Sequence, residues 1–319
     1  MVEPEAATDV FHVNASQGNA GSPSFYSTGF DVDMAITKRT DAVASHYNGS
    51  RLAGSGQFLR TENTNAEDNG GPFLFDVSDG VTKTGGGGNG NDPYVTYMWK
   101  RAKGYMDVVA YKGTGSAMNL SHSLGAVPEL VIIKIRYYSP SPSYGGDKWY
   151  VYHKDLGIGS HIALQSASAK VNQGFLSSLP TETNLPLQNT SGDSLATVDS
   201  STTYIAYLFA TLAGISKVGS YSGNGTNNHV IDCGFTAGAR FVLIRRAPSA
   251  GDWFLFDSVR GITSTSNDGI LYLNNNNAQV TEAAGIGVDA IQPHSSGFQL
   301  ASDNTLNHSE LDYIFYAIA

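Results

Sequence analysis

The feature that most constrains this chain is a set of landmarks that occurs three times in the same order. In the last third these landmarks are Val218–Gly225, Phe241–Arg245, Trp253–Phe256 and Tyr313–Ala319. The middle third repeats them as Val109–Gly115, Leu130–Lys134, Trp149–Tyr152 and Tyr204–Ala210. A divergent copy near the start reads Phe11–Gly18, Met34–Lys38, His46–Tyr47 and Tyr94–Trp99. The chain therefore carries an internal repeat.

The period of this repeat is about 110 residues, which is the size of a domain and not of a solenoid unit or propeller blade. We predict a short arm at 1–8, which is disordered or strand-like, and three tandem modules at 9–103, 104–213 and 214–319. The joints Arg101–Gly104 and Thr211–Gly214 are short and lack a flexible spacer. Short joints restrict motion, so we expect either a stiff rod or a compact pseudo-symmetric cluster.

Strand signals dominate each module. Short runs rich in Val, Ile, Tyr and Phe are bounded by Gly, Asn and Ser, and no long amphipathic helical pattern is present. Runs such as Thr203–Ala210 are apolar on both faces, as expected of a central strand covered by a second layer. We predict an all-β chain of three antiparallel β-sandwich modules of jelly-roll-like type.

The charge balance argues against nucleic acid as a partner. The chain has a formal net charge of -9 and no basic footprint. A charged fraction of only 15% with 36 Gly is typical of a turn-rich β protein with a polar surface. We expect an extracellular or virion location.

Export signals and cross-links are also absent from the sequence. Met1–Gly18 lacks the pattern of a signal peptide, and no apolar run is long enough to span a membrane, so we predict no membrane insertion. We expect export within a virus particle, or release from a larger protein. The single Cys233 excludes an intramolecular disulfide framework.

Catalytic motifs are missing. The glycine run Gly85–Gly90 lacks the G-K-[ST] continuation of a phosphate-binding loop and is expected to be a long hairpin loop. Gly219–Gly223 has its serines at the wrong positions for a nucleophile elbow. We predict that the protein is not an enzyme and uses no cofactor.

Metal-binding patterns are equally weak. His153 and Asp155 lie within one strand's reach, and we expect a surface hydrogen bond there and no metal. Asp193, Asp268 and Asn274–Asn277 carry oxygen atoms suited to calcium, but no twelve-residue calcium loop is present. No metal site is predicted.

The aromatic residues divide into two groups. Those that recur at matching positions are expected in the cores, namely Trp149, Tyr152, Trp253, Phe254 and Phe256. Tyr137, Tyr138 and Tyr144 lie in a Pro/Ser/Gly-rich loop that the other modules lack. Tyrosine offers an apolar ring and a hydroxyl to a sugar, so these three are the candidate glycan contacts. The alternative is a loop that folds back over its own module.

Glycosylation sequons are frequent. Three of them, at Asn14, Asn119 and Asn224, lie near the opening turn of their modules. They matter only if the source is a eukaryotic secreted fibre.

The last module resembles a repeat domain common in tail-fibre-like proteins of marine and other environmental bacteriophages. The resemblance is carried by Tyr221–Gly225, Gly234–Arg246, Phe256–Gly261 and Ser296–Leu300. The most specific piece, Phe256–Gly261, becomes Tyr152–Gly157 in the second module and Tyr47–Leu52 in the first. The resemblance implies a virion or fibre component that attaches to a host surface.

The expected function is that of a non-enzymatic structural and adhesive subunit of a phage tail fibre or similar extracellular fibre. Its partners would be further copies of itself, most simply in a trimer, and host-surface glycans. Two alternatives stay open at this point. One is a helical filament joined by strand addition of the arm. The other is a carbohydrate-binding module that uses the tyrosine-rich loop.

Overall fold

The structure is a computed structural model that describes residues 1–17, 23–84, 92–137, 148–189, 196–197, 200–247, 249–264, 268–281 and 290–319. Within these residues the only helices are two 3-10 turns, Ala7–Asp9 and Lys154–Leu156. The strands of the three largest sheets pair antiparallel. The predicted all-β antiparallel class is confirmed.

Residues 11–99 form a large and a small sheet. The large sheet, called the first wall, contains β1 (Phe11–Gln17), β3 (Met34–Arg39), β4 (Tyr47–Ser50), β5 (Leu59–Arg60) and β8 (Pro93–Trp99), in the order β1-β8-β3-β4-β5. The first outer sheet contains β2 (Ser24–Ser27), β6 (Phe73–Leu74) and β7 (Gly80–Lys83), in the order β2-β7-β6.

Residues 106–209 form the second wall and the second outer sheet. The wall contains β9 (Met106–Lys112), β11 (Leu130–Tyr137), β12 (Trp149–His153), β13 (Ile162–Ala163) and β15 (Thr203–Phe209), in the order β9-β15-β11-β12-β13. The outer sheet pairs β10 (Met118–Ser121) with β14 (Asn184–Leu187).

Residues 216–318 form the third wall and the third outer sheet. The wall contains β16 (Ser216–Ser222), β18 (Phe241–Ala247), β19 (Trp253–Asp257), β20 (Gly269–Tyr272), β21 (Val280–Thr281) and β24 (Asp312–Ile318), in the order β16-β24-β18-β19-β20-β21. The outer sheet contains β17 (His229–Asp232), β22 (Ile291–His294) and β23 (Gly297–Leu300), in the order β17-β23-β22.

The three walls share one strand order. In each wall the first strand pairs with the last, the last pairs with the second long strand, and the third long strand follows. The joints between walls are tight turns, in which Ala102 N donates to Met106 O at 3.0 Å and Leu212 N donates to Ser216 O at 3.1 Å. The division into modules at 9–103, 104–213 and 214–319 stays a prediction.

The walls bury their inner faces in one shared core. Ile36 of the first wall, Ile132 of the second and Leu243 of the third belong to the same buried cluster. The phenyl rings of Phe11 and Phe241 lie 5.4 Å apart, so the first wall touches the third. This shared core identifies the compact cluster, and not the rod, as the shape of the described chain.

The opposite face of each wall packs against its outer sheet. Side chains alternate along a strand, so Val131 and Ile133 face the second outer sheet while Ile132 faces the shared core. Three separate outer cores result. This double burial explains the runs that are apolar on both faces, and the recurring aromatics Trp149, Tyr152, Trp253, Phe254 and Phe256 are buried as predicted.

Hydrogen bonds connect each pair of walls along the line where they meet, which we call a seam. Trp149 Nε1 donates to Arg60 O at 2.8 Å between the second and first walls, and Trp253 Nε1 donates to Ala163 O at 3.2 Å between the third and second. Thr61 Oγ1 donates to Leu273 O at 2.7 Å between the first and third. Each pair of walls is therefore held by a directional bond as well as by the core.

Three cations are fully buried at equivalent positions of the second long strands: Lys38, Lys134 and Arg245. Lys134 Nζ donates to Thr64 O at 3.1 Å, and Arg245 donates to Ser166 O at 2.7 Å. Both of these bonds reach from one wall to the loop of the preceding wall. Burial lowers the pKa of Lys38 to about 8 and that of Arg245 to about 10.

Candidate functional site

A groove of about 820 Å³ lies beside the first outer sheet. We call it the Phe25 groove, and it is lined by Met1, Phe25, Asp31, Asp33, Arg51, Phe75, Asp76, Val77, Ser78, Asp79, Lys100 and Arg101. The lining combines apolar side chains, carboxylates and cations. Such a mixture suits a ligand with one apolar face and many hydrogen-bonding groups.

Phe25 is an exposed aromatic residue at the rim of this groove. On β2 the alternation of side chains buries Tyr26 and leaves Phe25 50% exposed. The matching strands β10 and β17 carry Asn119 and Val230 at the same position. Core packing does not account for Phe25, because its side chain points away from the outer core. An exposed ring beside such a groove offers a stacking surface to a ligand with an apolar face.

Gly80 holds β7 against β2 behind the groove. It pairs with Ser27 and has a φ of 146°, a conformation that L side chains rarely adopt. A Cβ atom added at Gly80 would lie 2.0 Å from Tyr26 O. Glycine is therefore required here for the close pairing that positions Phe25.

Arg51 and Arg101 line the groove, and both form hydrogen bonds with other groups of the protein. The Arg51 guanidinium donates to Val32 O at 3.0 Å, to Val77 O at 3.2 Å and to the Phe75 carbonyl. Arg101 binds the buried Asp33 twice, with its backbone N at 2.7 Å and its side-chain Nε at 3.2 Å. These bonds fix the loops that end at the groove.

Three further carboxylates, on Asp31, Asp76 and Asp79, are exposed in the groove. Ser55 Oγ donates to Asp76 at 3.0 Å, and Ser27 Oγ donates to Asp79 at 3.0 Å. Each of these bonds orients a carboxylate and leaves other lone pairs available, because an ionised carboxylate accepts several hydrogen bonds.

A second groove lies between the second and third walls, on both sides of the edge strand β16. Its two parts measure about 600 Å³ and about 390 Å³ and share Asp155, Ser220 and Tyr221. The Tyr221 ring stacks on Tyr313 with centroids 4.9 Å apart, and its hydroxyl donates to Leu306 O at 2.7 Å. The groove therefore presents hydroxyls and charged groups to solvent. Its Tyr221 side chain is held by contacts within the protein.

Of the predicted glycan contacts, only Tyr137 lies within the described residues. It is 59% exposed at the end of β11. Tyr138 and Tyr144 lie outside the described residues, as does the glycine run Gly85–Gly90. The glycan-contact prediction for this loop stays a prediction.

Phe25 was not among the site residues predicted from the sequence. The signal that could have found it is a comparison of the three β2-type strands, which read Ser24–Ser27, Met118–Ser121 and His229–Asp232. Only the first carries an aromatic residue at the outward position. The divergence of the first repeat hides this alignment in the sequence.

The three sequons do not lie at equivalent positions. Asn14 is in the middle of β1, Asn119 is exposed on β10, and Asn224 is exposed in the turn after β16. Asn224 Oδ1 also accepts a bond from Thr226 N at 2.8 Å. Their shared location near an opening turn is therefore not a property of the fold.

His153 is buried, so the predicted surface hydrogen bond is wrong. Its Nε2 lies 3.4 Å from Phe315 O of the third wall, and its Nδ1 accepts a bond from Asp155 N at 3.2 Å. Burial lowers the pKa of His153 to about 4. The residue joins two walls and caps a 3-10 turn.

The residues considered as calcium ligands accept hydrogen bonds from the backbone where the structure describes them. Asn274 Oδ1 accepts from Trp253 N at 2.8 Å, and Asp268 accepts from Thr263 N at 3.1 Å. Asp193 lies outside the described residues. Within the described part of the chain, no group of three or more His, Cys, Asp or Glu residues is arranged to hold a metal ion.

The buried carboxylate of Asp257 also has a structural role. Asp257 has no exposed surface and accepts hydrogen bonds from Tyr97 and from Arg260 Nε, each at 2.7 Å. Burial, the largest cause, raises the pKa of Tyr97 well above its ordinary value. Burial also raises the pKa of Cys233 to about 12, which makes its thiol a poor nucleophile.

Comparison with known families gives one match. The family described as "Domain of unknown function (DUF7483)" matches residues 6–319 as one continuous region. No curated protein matches the chain. Among the described residues, no helix is long and apolar enough to cross a membrane.

Proposed function

We propose a non-enzymatic adhesive role for this chain, which belongs to the DUF7483 family. In this proposal the protein is a rigid subunit of a phage tail fibre or a similar extracellular fibre. It binds a host-surface glycan in the Phe25 groove. The observation that carries the proposal is the half-exposed Phe25 ring in a groove lined by both apolar and charged side chains.

The chemistry of the groove supports a sugar ligand. One face of a pyranose ring is lined by C–H groups and stacks on an aromatic ring, while its hydroxyls need hydrogen-bond acceptors and donors. Phe25 supplies the ring, and Asp76 and Asp79 supply acceptors that serine hydroxyls already orient. An oriented site loses less conformational entropy on binding.

The rigidity of the body supports a structural role in a fibre. The three walls share a core, and each seam carries a directional hydrogen bond. A fibre subunit must keep its binding surface fixed relative to its attachment point. A body held together in this way meets that requirement without disulfides.

A glycan panel tests the proposal. Immobilised bacterial and algal oligosaccharides are screened with the purified chain, and the best binder is titrated against Phe25→Ala and Val230→Ala. Val230 is the matched control because it occupies the equivalent outward position of the third outer sheet. We expect Phe25→Ala to weaken binding about tenfold and Val230→Ala to leave it unchanged. Equal affinities for both variants would remove the Phe25 groove as the site.

Self-association is the second part of the proposal. In the described chain β1, β9 and β16 are edge strands that pair with one neighbour only. Open edges invite pairing with another chain unless they are covered. A trimer would cover such an edge. A helical filament would do so if residues 1–8 left their own chain, where Ala7 is buried and Val2 O accepts from Lys103 N at 3.1 Å, and added as a strand to the next copy. Light scattering with negative-stain microscopy distinguishes a discrete trimer from filaments, and a stable monomer at high concentration counts against both.

A further inference from the structure

The charged groups that line the Phe25 groove are not equally available to a ligand. Arg51 donates to three backbone carbonyls, and Arg101 is paired with Asp33. Asp33 is itself buried. These three residues hold the groove together, and part of their hydrogen-bonding capacity is used within the protein.

The groups that remain are mostly anionic. Asp31, Asp76 and Asp79 are exposed, and the lining also carries Lys100 and the Arg51 guanidinium, whose hydrogen bonds to neutral carbonyls do not cancel its charge. Three exposed carboxylates against the positive charges of Lys100 and Arg51 leave the groove with a small excess of negative charge. The whole chain adds to this potential with its formal net charge of -9.

One of these carboxylates lies beside the stacking ring. Asp79 is bonded to the hydroxyl of Ser27, two residues from Phe25 on β2. The next residue, Gly80, lies against the Phe25 ring, since its Cβ position is 3.2 Å from Phe25 Cε2. A sugar stacked on Phe25 therefore places its ring substituents next to the Asp79 carboxylate.

We infer that the Phe25 groove selects glycans built from amino sugars with a free, protonated amine, and that it rejects glycans bearing carboxylate, sulfate or phosphate groups. This inference rests on the proposed glycan-binding function and adds the charge class of the ligand. An ammonium beside Asp79 gains a charge-assisted hydrogen bond, which is stronger than a neutral one. An acidic sugar at the same place meets carboxylates of its own sign.

Three hexasaccharides of matched length test this inference by calorimetric titration at about pH 5.5, where sugar amines and side-chain carboxylates are both charged. They are a glucosamine hexamer, its N-acetylated form and a galacturonate hexamer. We expect the amine hexamer to bind about tenfold more tightly than the acetylated one at low salt, with the difference lost near 0.5 M salt because surface charges are then screened. The galacturonate hexamer should not bind.

Two variants show whether the preference for the amine hexamer arises in the Phe25 groove or from the net negative charge of the whole protein. Asp79→Asn keeps an acceptor for Ser27 and should abolish the preference for the amine while retaining binding of the acetylated hexamer. Asp312→Asn is the matched control, because Asp312 is an exposed carboxylate that accepts from Ser222 in the second groove. It should retain the preference.

Failure of the inference and failure of the proposed function are distinguishable. If the amine and acetylated hexamers bind equally, or galacturonate binds best, while Phe25→Ala still weakens binding, the charge selection is wrong and the adhesive function stands. If Asp312→Asn lowers the preference as much as Asp79→Asn, the selection does not arise in this groove. If neither the hexamers nor any glycan on the panel binds, both proposals are wrong.

Discussion

The hydrogen bond between Tyr207 and Asn48 is the sharpest test of how the walls are joined. Tyr207 of the second wall donates its hydroxyl to Asn48 Oδ1 of the first at 2.7 Å, and both residues are buried. Tyr207→Phe removes the donor and leaves the buried amide oxygen without this bond. An unsatisfied buried polar atom costs about 1–3 kcal/mol, so we expect the free energy of unfolding to fall by about 2 kcal/mol.

The other walls supply a matched compensating variant. At the position of Asn48, the second and third walls carry Val151 and Leu255 opposite Ile132 and Leu243. Asn48→Val replaces the polar partner with the side chain that the second wall uses. Removing both partners of a buried bond costs much less than removing one. The double variant should therefore be more stable than the sum of the two single changes predicts, by about 1–2 kcal/mol.

Urea unfolding followed by tryptophan fluorescence and by far-UV circular dichroism measures these free energies. Because the seam belongs to two walls, both probes should shift together, with an unchanged denaturant slope. Additive single and double variants would refute the coupling across the seam. A shift seen by only one probe would refute the joint unfolding of the two walls.

Two further predictions concern pH and backbone geometry. His46 is fully buried, and among the described residues neither of its ring nitrogens has a hydrogen-bond partner; burial, then Lys38 and Arg260, lowers its pKa to about 3. Because the folded pKa is depressed, its contribution to stability is complete above about pH 6.5 and is lost as pH falls toward 3, by up to about 1.4 kcal/mol per pH unit. His46→Phe should flatten the pH dependence of urea unfolding in this window, and an unchanged slope would contradict this. Gly80→Ala should cost several kcal/mol, about 3 or more, because the new Cβ meets backbone; the control Gly29→Ala, at a positive φ in open space, should cost about 1 kcal/mol in the same assay.

Local patterns were sufficient to predict the all-β class and the long strands of the walls, but not the short strands of the outer sheets. Runs such as Leu130–Ile133 are apolar at every position, and this pattern indicates a strand covered on both faces. It does not identify the covering layers. The structure places Ile132 against the other walls and Val131 against the second outer sheet, and that choice depends on contacts between residues far apart in the sequence.

The candidate site could not be predicted from local patterns either, because contacts between residues far apart in the sequence form it. His153 looks like a surface residue in the sequence because Lys and Asp follow it, yet Phe315 of the third wall covers it. Phe25 looks like an ordinary core aromatic until its strand is aligned with the two others. The groove beside it combines residues 1, 25, 76–79 and 100–101, which only the fold brings together.

The most direct test of the binding account is hydrogen–deuterium exchange of the full chain with and without the bound glucosamine hexamer. The account predicts slower exchange in Ser24–Ser27 and in residues 76–80, on either side of the Phe25 ring, with no change in β16. Protection confined to the loop that contains Tyr138 and Tyr144, or to the groove beside β16, would place the glycan elsewhere and contradict it.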